Sequence, residues 1–206
     1  MQPAIVLLEF DSIARGIRAG DAMAKRAPLA TLHAGTVHPG KYLVLAGGEV
    51  ASVDEARVAG RMVASEALVG EVFLPEVHRD VVAAILGEHR RQPDEALGVI
   101  ETRTVAAVLG AADAGAKGAR VSLLEVVMAD GLGGKGYLLF TGTVSEVEAA
   151  VEIGVASLGD PSLLVASEVI AQLDAEMWTN LVGHARFGQR LRPLGSERGP
   201  GSPEKR

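Results

Sequence analysis

AIVLLEFDSIA (residues 4–14) and ALGVIETRTVA (residues 96–106) are two versions of one sentence. Each is an apolar run of strand length that ends on a glutamate and is followed by hydroxyl side chains suited to starting a helix. Reading outward from these runs, Glu9 pairs with Glu101, Ala14 with Ala106, Asp21 with Asp113 and Lys25 with Lys117, at an offset of 92 (101 − 9). Further on, Gly40-Lys41 pairs with Gly134-Lys135, Gly48 with Gly142, Val50 with Val144 and Val53 with Val147, at an offset of 94 (134 − 40). An ordered series of this kind is the signature of a duplicated domain. The second copy carries two extra residues just before its glycine loop.

Both copies predict the same elements. In the first, Ala4–Phe10 is a buried strand, and Asp11/Ser12 cap a helix running to about Arg26, stopped by Pro28. Two strands, 29–37 and 42–46, flank the turn His38-Pro39-Gly40-Lys41. Apolar residues at Val53, Ala56, Ala59, Val63 and Ala67 predict a helix over 52–67; a strand at 69–74 and a closing helix at 76–86 follow. The second copy predicts strand 96–102, helix 103–118, strands 121–129 and 136–141, helix 145–158, strand 163–170 and helix 172–186. The order β-α-β-β-α-β is the split βαβ, ferredoxin-like arrangement of an α+β domain, with one helix added. The expected organisation is a first domain over 1–86, a polar linker over 87–95, a second domain over 96–187, and a disordered tail over 188–206 rich in Gly, Pro, Ser and charge.

Composition narrows the function classes. Its 206 residues, 48% hydrophobic, suffice for two small cores. A net charge of −6 and no basic stripe in the body of the chain argue against a nucleic-acid partner. There is no cysteine, so disulfides, thiolate-held zinc, iron–sulfur clusters and thiol nucleophiles are excluded together. Apolar runs fall far short of the ~20 residues needed to span a bilayer, and MQPAIVLLEF has neither the basic start nor the cleavage site of a signal peptide. A cytoplasmic protein without a membrane partner is expected.

Four stretches carry a family resemblance: Ile-Glu-Thr-Arg at 100–103, Ala-Asp-Ala-x-x-Lys at 112–117, the glycine-rich loop before Lys135, and the strand closing on Gly142. Together they resemble the shell domains of bacterial microcompartments, over roughly residues 4–186. SIARGIRAGDAMAK (12–25), Pro39-Gly40-Lys41, MADGLGGK (128–135) and Glu176-Met177-Trp178 are most similar to tandem-domain members from propanediol-utilisation compartments, which carry an iron–sulfur cluster at their pore. The resemblance implies a structural tile rather than an enzyme. Three chains would form a flat pseudohexamer, tile with other shell proteins, and pass small polar metabolites, ions or cofactors through a central pore. Both copies start on the same strand, so neither is circularly permuted.

The same resemblance implies that His38, Pro39, Gly40 and Lys41, with Leu132, Gly133, Gly134 and Lys135, line that pore. Two ordinary hairpin turns would have the same composition. His38 stands where the resembled members have the cluster cysteine. A ring of three imidazoles could hold a divalent metal with an open position, or form a polar ring that tunes passage. Lys25 and Lys117 fall at the tile edge by resemblance, though a solvated lysine at a helix C-terminus reads identically. Three motifs point elsewhere and fail. Gly35 to Lys41 has P-loop spacing, but Tyr42 replaces the magnesium-binding hydroxyl and Pro39 has no N–H for phosphate. Glu9 and Glu101 could do acid–base work, yet their repetition at equivalent places favours a structural role. His33, His78, His89 and His184 share no ligand spacing, and His78, opening the closing helix, is expected to be a capping or core residue. A rival of another class remains: a soluble trimeric ferredoxin-like regulator or carrier that binds a small effector or metal.

Overall fold

Ser12 and Thr104 start the two long helices in the same way, each accepting at its hydroxyl the amide three residues on, Arg15 at 3.4 Å and Ala107 at 3.2 Å. Around these helices the computed structural model, which describes residues 4–88 and 94–181, sets out two equivalent element series. The first is β1 (Ala4–Phe10), α1 (Ile13–Arg26), β2 (Thr31–Val37), β3 (Lys41–Gly48), α2 (Val50–Val63), β4 (Leu68–Leu74) and α3 (Arg79–Ile85). The second is β5 (Ala96–Thr102), α4 (Val105–Gly118), β6 (Ser122–Met128), β7 (Gly136–Gly142), α5 (Val144–Ala156), β8 (Leu164–Ala171) and α6 (Ala175–Leu181). The strand orders β2-β3-β1-β4 and β6-β7-β5-β8, antiparallel throughout, are the ferredoxin-like order expected from the sequence. No helix among the described residues is long and apolar enough to cross a membrane.

The chain divides into two compact units, Met1–Leu173 and Asp174–Arg206. Both sheets lie in the first. Of the second, residues 174–181 are described: α6, whose first turn gives the Asp174 carboxylate the amides of Glu176 (2.8 Å) and Met177 (3.4 Å). Part of the expected linker and all of the expected tail lie outside the described residues, as do His89 and His184.

Every residue of β1 is buried, because both of its faces are covered. Ala4, Val6, Leu8 and Phe10 pack with Met23, Val53 and Ala56 of α1 and α2. Ile5 and Leu7, on the opposite face, belong instead to a cluster that includes Val81 of α3 and Val105, Leu109 and Phe140 of the second copy. The far face of the first sheet is therefore continuous with the second copy's core. α3 packs on β6 and α4, in the other copy.

The two cores are filled by exchanging large and small residues. A Cβ on Gly16 would lie 2.6 Å from the Tyr42 ring; at the equivalent places stand Val108 and Gly136, where a Cβ on Gly136 would lie 2.6 Å from Val108. Likewise Met23 and Ala46 become Gly115 and Phe140, and a Cβ on Gly115 would lie 2.6 Å from the Phe140 ring. Backbone and density are kept while side chains trade volume.

Some element boundaries shift from expectation. The closing helix begins at Arg79, not 76, because the His78 imidazole Nδ1 accepts the Asp80 amide at 3.3 Å and acts as its N-cap. α2 begins at Val50, after an N-cap, Glu49, that offers no side-chain bond. α6 starts three residues later than expected, after the capping Asp174.

Candidate functional site

The turn joining β2 and β3 is three residues long, and the loop joining β6 and β7 is seven. In the first, the last strand pair is Val37 with Lys41, and the Gly40 amide donates to the Val37 carbonyl at 2.9 Å. In the second, Ala129 donates to the Lys135 carbonyl at 3.0 Å, enclosing residues 130–134. Gly40 (φ 111°), Gly133 (φ 65°) and Gly134 (φ 85°) are left-handed, which is why these loops need glycine.

The two loops lie side by side. The His38 amide and its ring Nδ1 both sit 3.5 Å from Oδ1 of Asp130. A Cβ on Gly134 would stand 3.0 Å from Pro39 Cδ and 3.2 Å from Lys41 Nζ, so the two loops approach as closely as glycine permits. Asp130 is the residue that sequence reasoning missed. Counting back from the lysines aligns His38 with Leu132, but counting forward from the paired strand ends aligns it with Asp130. The available signal was Asp130-Gly131, a turn dipeptide carrying the loop's one acidic group. His38, Pro39, Gly40 and Asp130 are exposed, Leu132 half-exposed and Gly134 buried.

Lys41 and Lys135 are committed elsewhere. Lys41 Nζ donates to Glu9 Oε1 at 2.6 Å, and Lys135 makes the same bond to Glu101. Glu9 is fully buried, and its second oxygen accepts the amides of Val105 (2.8 Å) and Ala106 (3.4 Å). The carboxylate that ends the first copy's opening strand thus sits on the positive N-terminus of the second copy's long helix, where anion and dipole attract. No acid–base chemistry is visible there; Glu9 holds the seam between the copies. At the other end of that helix Asp113, also buried, accepts the His78 amide at 2.7 Å and the Lys117 ammonium at 2.6 Å. In the first copy Lys25 pairs with Asp21 at 2.7 Å, and both are exposed. Lys117 lies twelve residues, about 18 Å, along α4 from Val105, so the lysines stand far from the loops.

Gly70 completes the seam. A Cβ there would be 3.1 Å from Ala106 Cβ and from Glu9 Oε2, so β4 and α4 approach as closely as glycine permits. Among the described residues no group of three or more His, Asp or Glu side chains is placed to share a metal within one chain.

Two unpermuted split βαβ units, clasped through a buried carboxylate with their strand-joining loops in contact, define a tandem ferredoxin-like fold. The BMC domain family matches residues 4–77 and again 96–173, and the chain belongs to that family. It is 41% identical over 182 residues to the bacterial microcompartment shell protein PduT of Citrobacter freundii, covering 88% of this chain and 99% of that protein. Among solved structures, a microcompartments protein from Desulfitobacterium hafniense DCB superposes with a TM-score of 0.75 at 39% identity, over 86% of this chain and 98% of that one. The fused permuted hexameric shell protein of the RMM microcompartment shares the fold, with a TM-score of 0.57 and 20% identity over 76% of this chain and 84% of that one. The chain is a structural component of a bacterial microcompartment shell in the cytoplasm, and not an enzyme. The rival reading, a soluble regulator, has no support from these relatives.

Proposed function

We propose that three copies close head to tail into a six-domain tile whose axis is lined by the paired loops. The observation that carries this is the unequal exposure of equivalent surfaces. Val105 and Leu109 of α4, buried at the internal seam, are 0% exposed, whereas their counterparts Ile13 and Ile17 of α1 are 40% and 54% exposed. β8 is likewise open where β4 is half-covered, and β2 is open where β6 is covered. The flank left bare on the first copy is the one that the internal seam covers on the second. A head-to-tail contact that repeats the internal one extends indefinitely or closes. Six domains in a ring, as in the hexameric relative, is the closed solution, and two domains per chain make it a trimer.

In that ring His38 and Asp130 alternate around the axis, three of each. Because the Nδ1 edge faces Asp130, Nε2 is left to face the opening. Small polar metabolites, ions or cofactors would cross this rim. The cluster of the resembled tandem members has no ligand here, since the chain lacks cysteine. A divalent metal on three His38 rings is the alternative use of the same rim, with Asp130 as the orienting carboxylate. Lys25 and Lys117, about 18 Å from the loop end of their helices, fall at the outer edge, where a neighbouring tile would meet them.

Sedimentation at micromolar concentration, followed by electron microscopy of the assembled layers, tests the tile. Threefold particles that pack into sheets are expected; a persistent monomer would refute the ring. Elemental analysis of wild type and His38→Ala separates the two rims: bound metal lost with His38 supports the metal, and metal-free wild type supports the polar ring.

A further inference from the structure

The internal seam also shows which residue should latch the external one. Within the chain, Glu9 leaves its own domain to take the first-turn amides of α4, while Lys41 neutralises its other oxygen. The repeat places Glu101 and Lys135 in the same relation at the end of β5. Among the described residues Glu101 caps no helix: its side chain is 30% exposed, against 0% for Glu9. The helix that lacks such a carboxylate is α1, whose amides at Ile13 and Ala14 correspond to Val105 and Ala106 and take no carboxylate among the described residues. Beside those amides lie the bare side chains of Ile13 and Ile17. At the far end of α1, Asp21 holds Lys25 alone among the described residues, where its counterpart Asp113 also takes a backbone amide.

We infer that Glu101 of each chain caps helix α1 of a second copy, accepting the amides of Ile13 and Ala14, with Lys135 as the balancing cation. This rests on the closed-ring reading and gives it a residue and a register. The carboxylate becomes buried on assembly, Ile13 and Ile17 are covered in the same step, and the positive helix end meets a full negative charge. The external seam carries larger side chains than the internal one at its close contacts. Ala166 stands opposite Glu101 where Gly70 stands opposite Glu9. A Cβ at Gly70 would be 3.1 Å from Ala106, so the external seam must sit a few tenths of an ångström wider to admit Ala166 against Ala14.

Two experiments on the full chain test this. Because the chain has no cysteine, Ala14→Cys combined with Ala166→Cys reports the register without background. In the inferred seam the two Cβ atoms fall close to the ~3.8 Å of a disulfide. Mild oxidation should give a covalent species of three times the 21.3 kDa chain mass on a non-reducing gel. Separately, Glu101→Gln removes the charge and keeps the shape. If each seam weakens about tenfold, the trimerisation constant falls about a thousandfold and the midpoint concentration by sedimentation rises about thirtyfold. Its dissociated chain should unfold in urea at the wild-type midpoint, because Glu101 caps no helix among the described residues. Cross-linked trimers alongside an unmoved Glu101→Gln midpoint would overturn the latch and leave the ring standing. A monomeric wild type would overturn the ring and the latch together, and trimers whose cysteines never bridge would overturn the register and with it the latch.

Discussion

Replacing Glu9 by alanine should be the most damaging single change at the seam, and its cost can be worked from the bonds it makes. The carboxylate is fully buried and accepts from Lys41 at 2.6 Å, Val105 at 2.8 Å and Ala106 at 3.4 Å. Val105 and Ala106 are 0% and 2% exposed, so water cannot readily replace the lost acceptor. Each stranded buried donor costs about 1–3 kcal/mol, with the long 3.4 Å contact at the low end. Loss of the anion from the helix N-terminus adds up to about 1–2 kcal/mol. Lys41 adds little, because its side chain is 20% exposed and can turn to solvent. The total is about 3–5 kcal/mol. With a urea dependence near 2 kcal/mol per molar, the unfolding midpoint should fall by about 1.5–2.5 M. Glu101→Ala is the internal control. Measured dilute enough for the chain to be dissociated, it removes only a partly exposed ion pair with Lys135 and should cost less than about 1 kcal/mol. Equal costs for the two glutamates, or a Glu9→Ala midpoint within about 0.5 M of wild type, would refute the claim that Glu9 clasps the two copies.

Two further outcomes follow from the packing and the caps. Gly16→Val should clash with Tyr42, and Tyr42→Gly should leave a cavity, yet the double variant recreates the Val108/Gly136 pair of the other copy. A urea double-mutant cycle should show the pair recovering about 1–3 kcal/mol of the summed single costs, and additivity within about 0.5 kcal/mol would sink the volume-exchange account. Glu146, which accepts the Arg120 amide, and Asp160, which accepts the Ser162 amide, are held below the usual carboxylate range chiefly by those backbone bonds. Their stabilisation is therefore complete above the unfolded carboxylate pKa and is lost as pH falls through the depressed folded value. Glu146→Gln and Asp160→Asn should thus be less stable than wild type at neutral pH and converge on it in acid unfolding as pH falls through the depressed folded values. A gap that stays constant across that range would show that the bonds do not depend on charge.

Much of this was legible in the chain itself. The repeat of 4–14 at 96–106 set the duplication, and apolar spacing with the Asp11/Ser12 cap placed the strands and long helices within a few residues. These are local properties: periodicity selects the element, and a capping side chain selects its start. The misplaced start of α3 has the same origin in reverse. His78 reads as either a capping or a core residue at that opening, and the 3.3 Å contact to the Asp80 amide decides for the cap.

What sequence could not supply is every relation between the copies. Glu9 and Glu101 are the same residue in the same motif, yet one is buried on a helix of the other domain and its counterpart is half open to water. Lys41 reads as a loop-tip cation and is instead consumed by Glu9. Asp130 reads as an insertion and is the neighbour of His38. A linear pattern records which side chains share a face of their own element. Which faces of different elements meet depends on how two sheets and their helices close their apolar surfaces against each other, and a repeated motif is silent about which copy finds a partner within the chain.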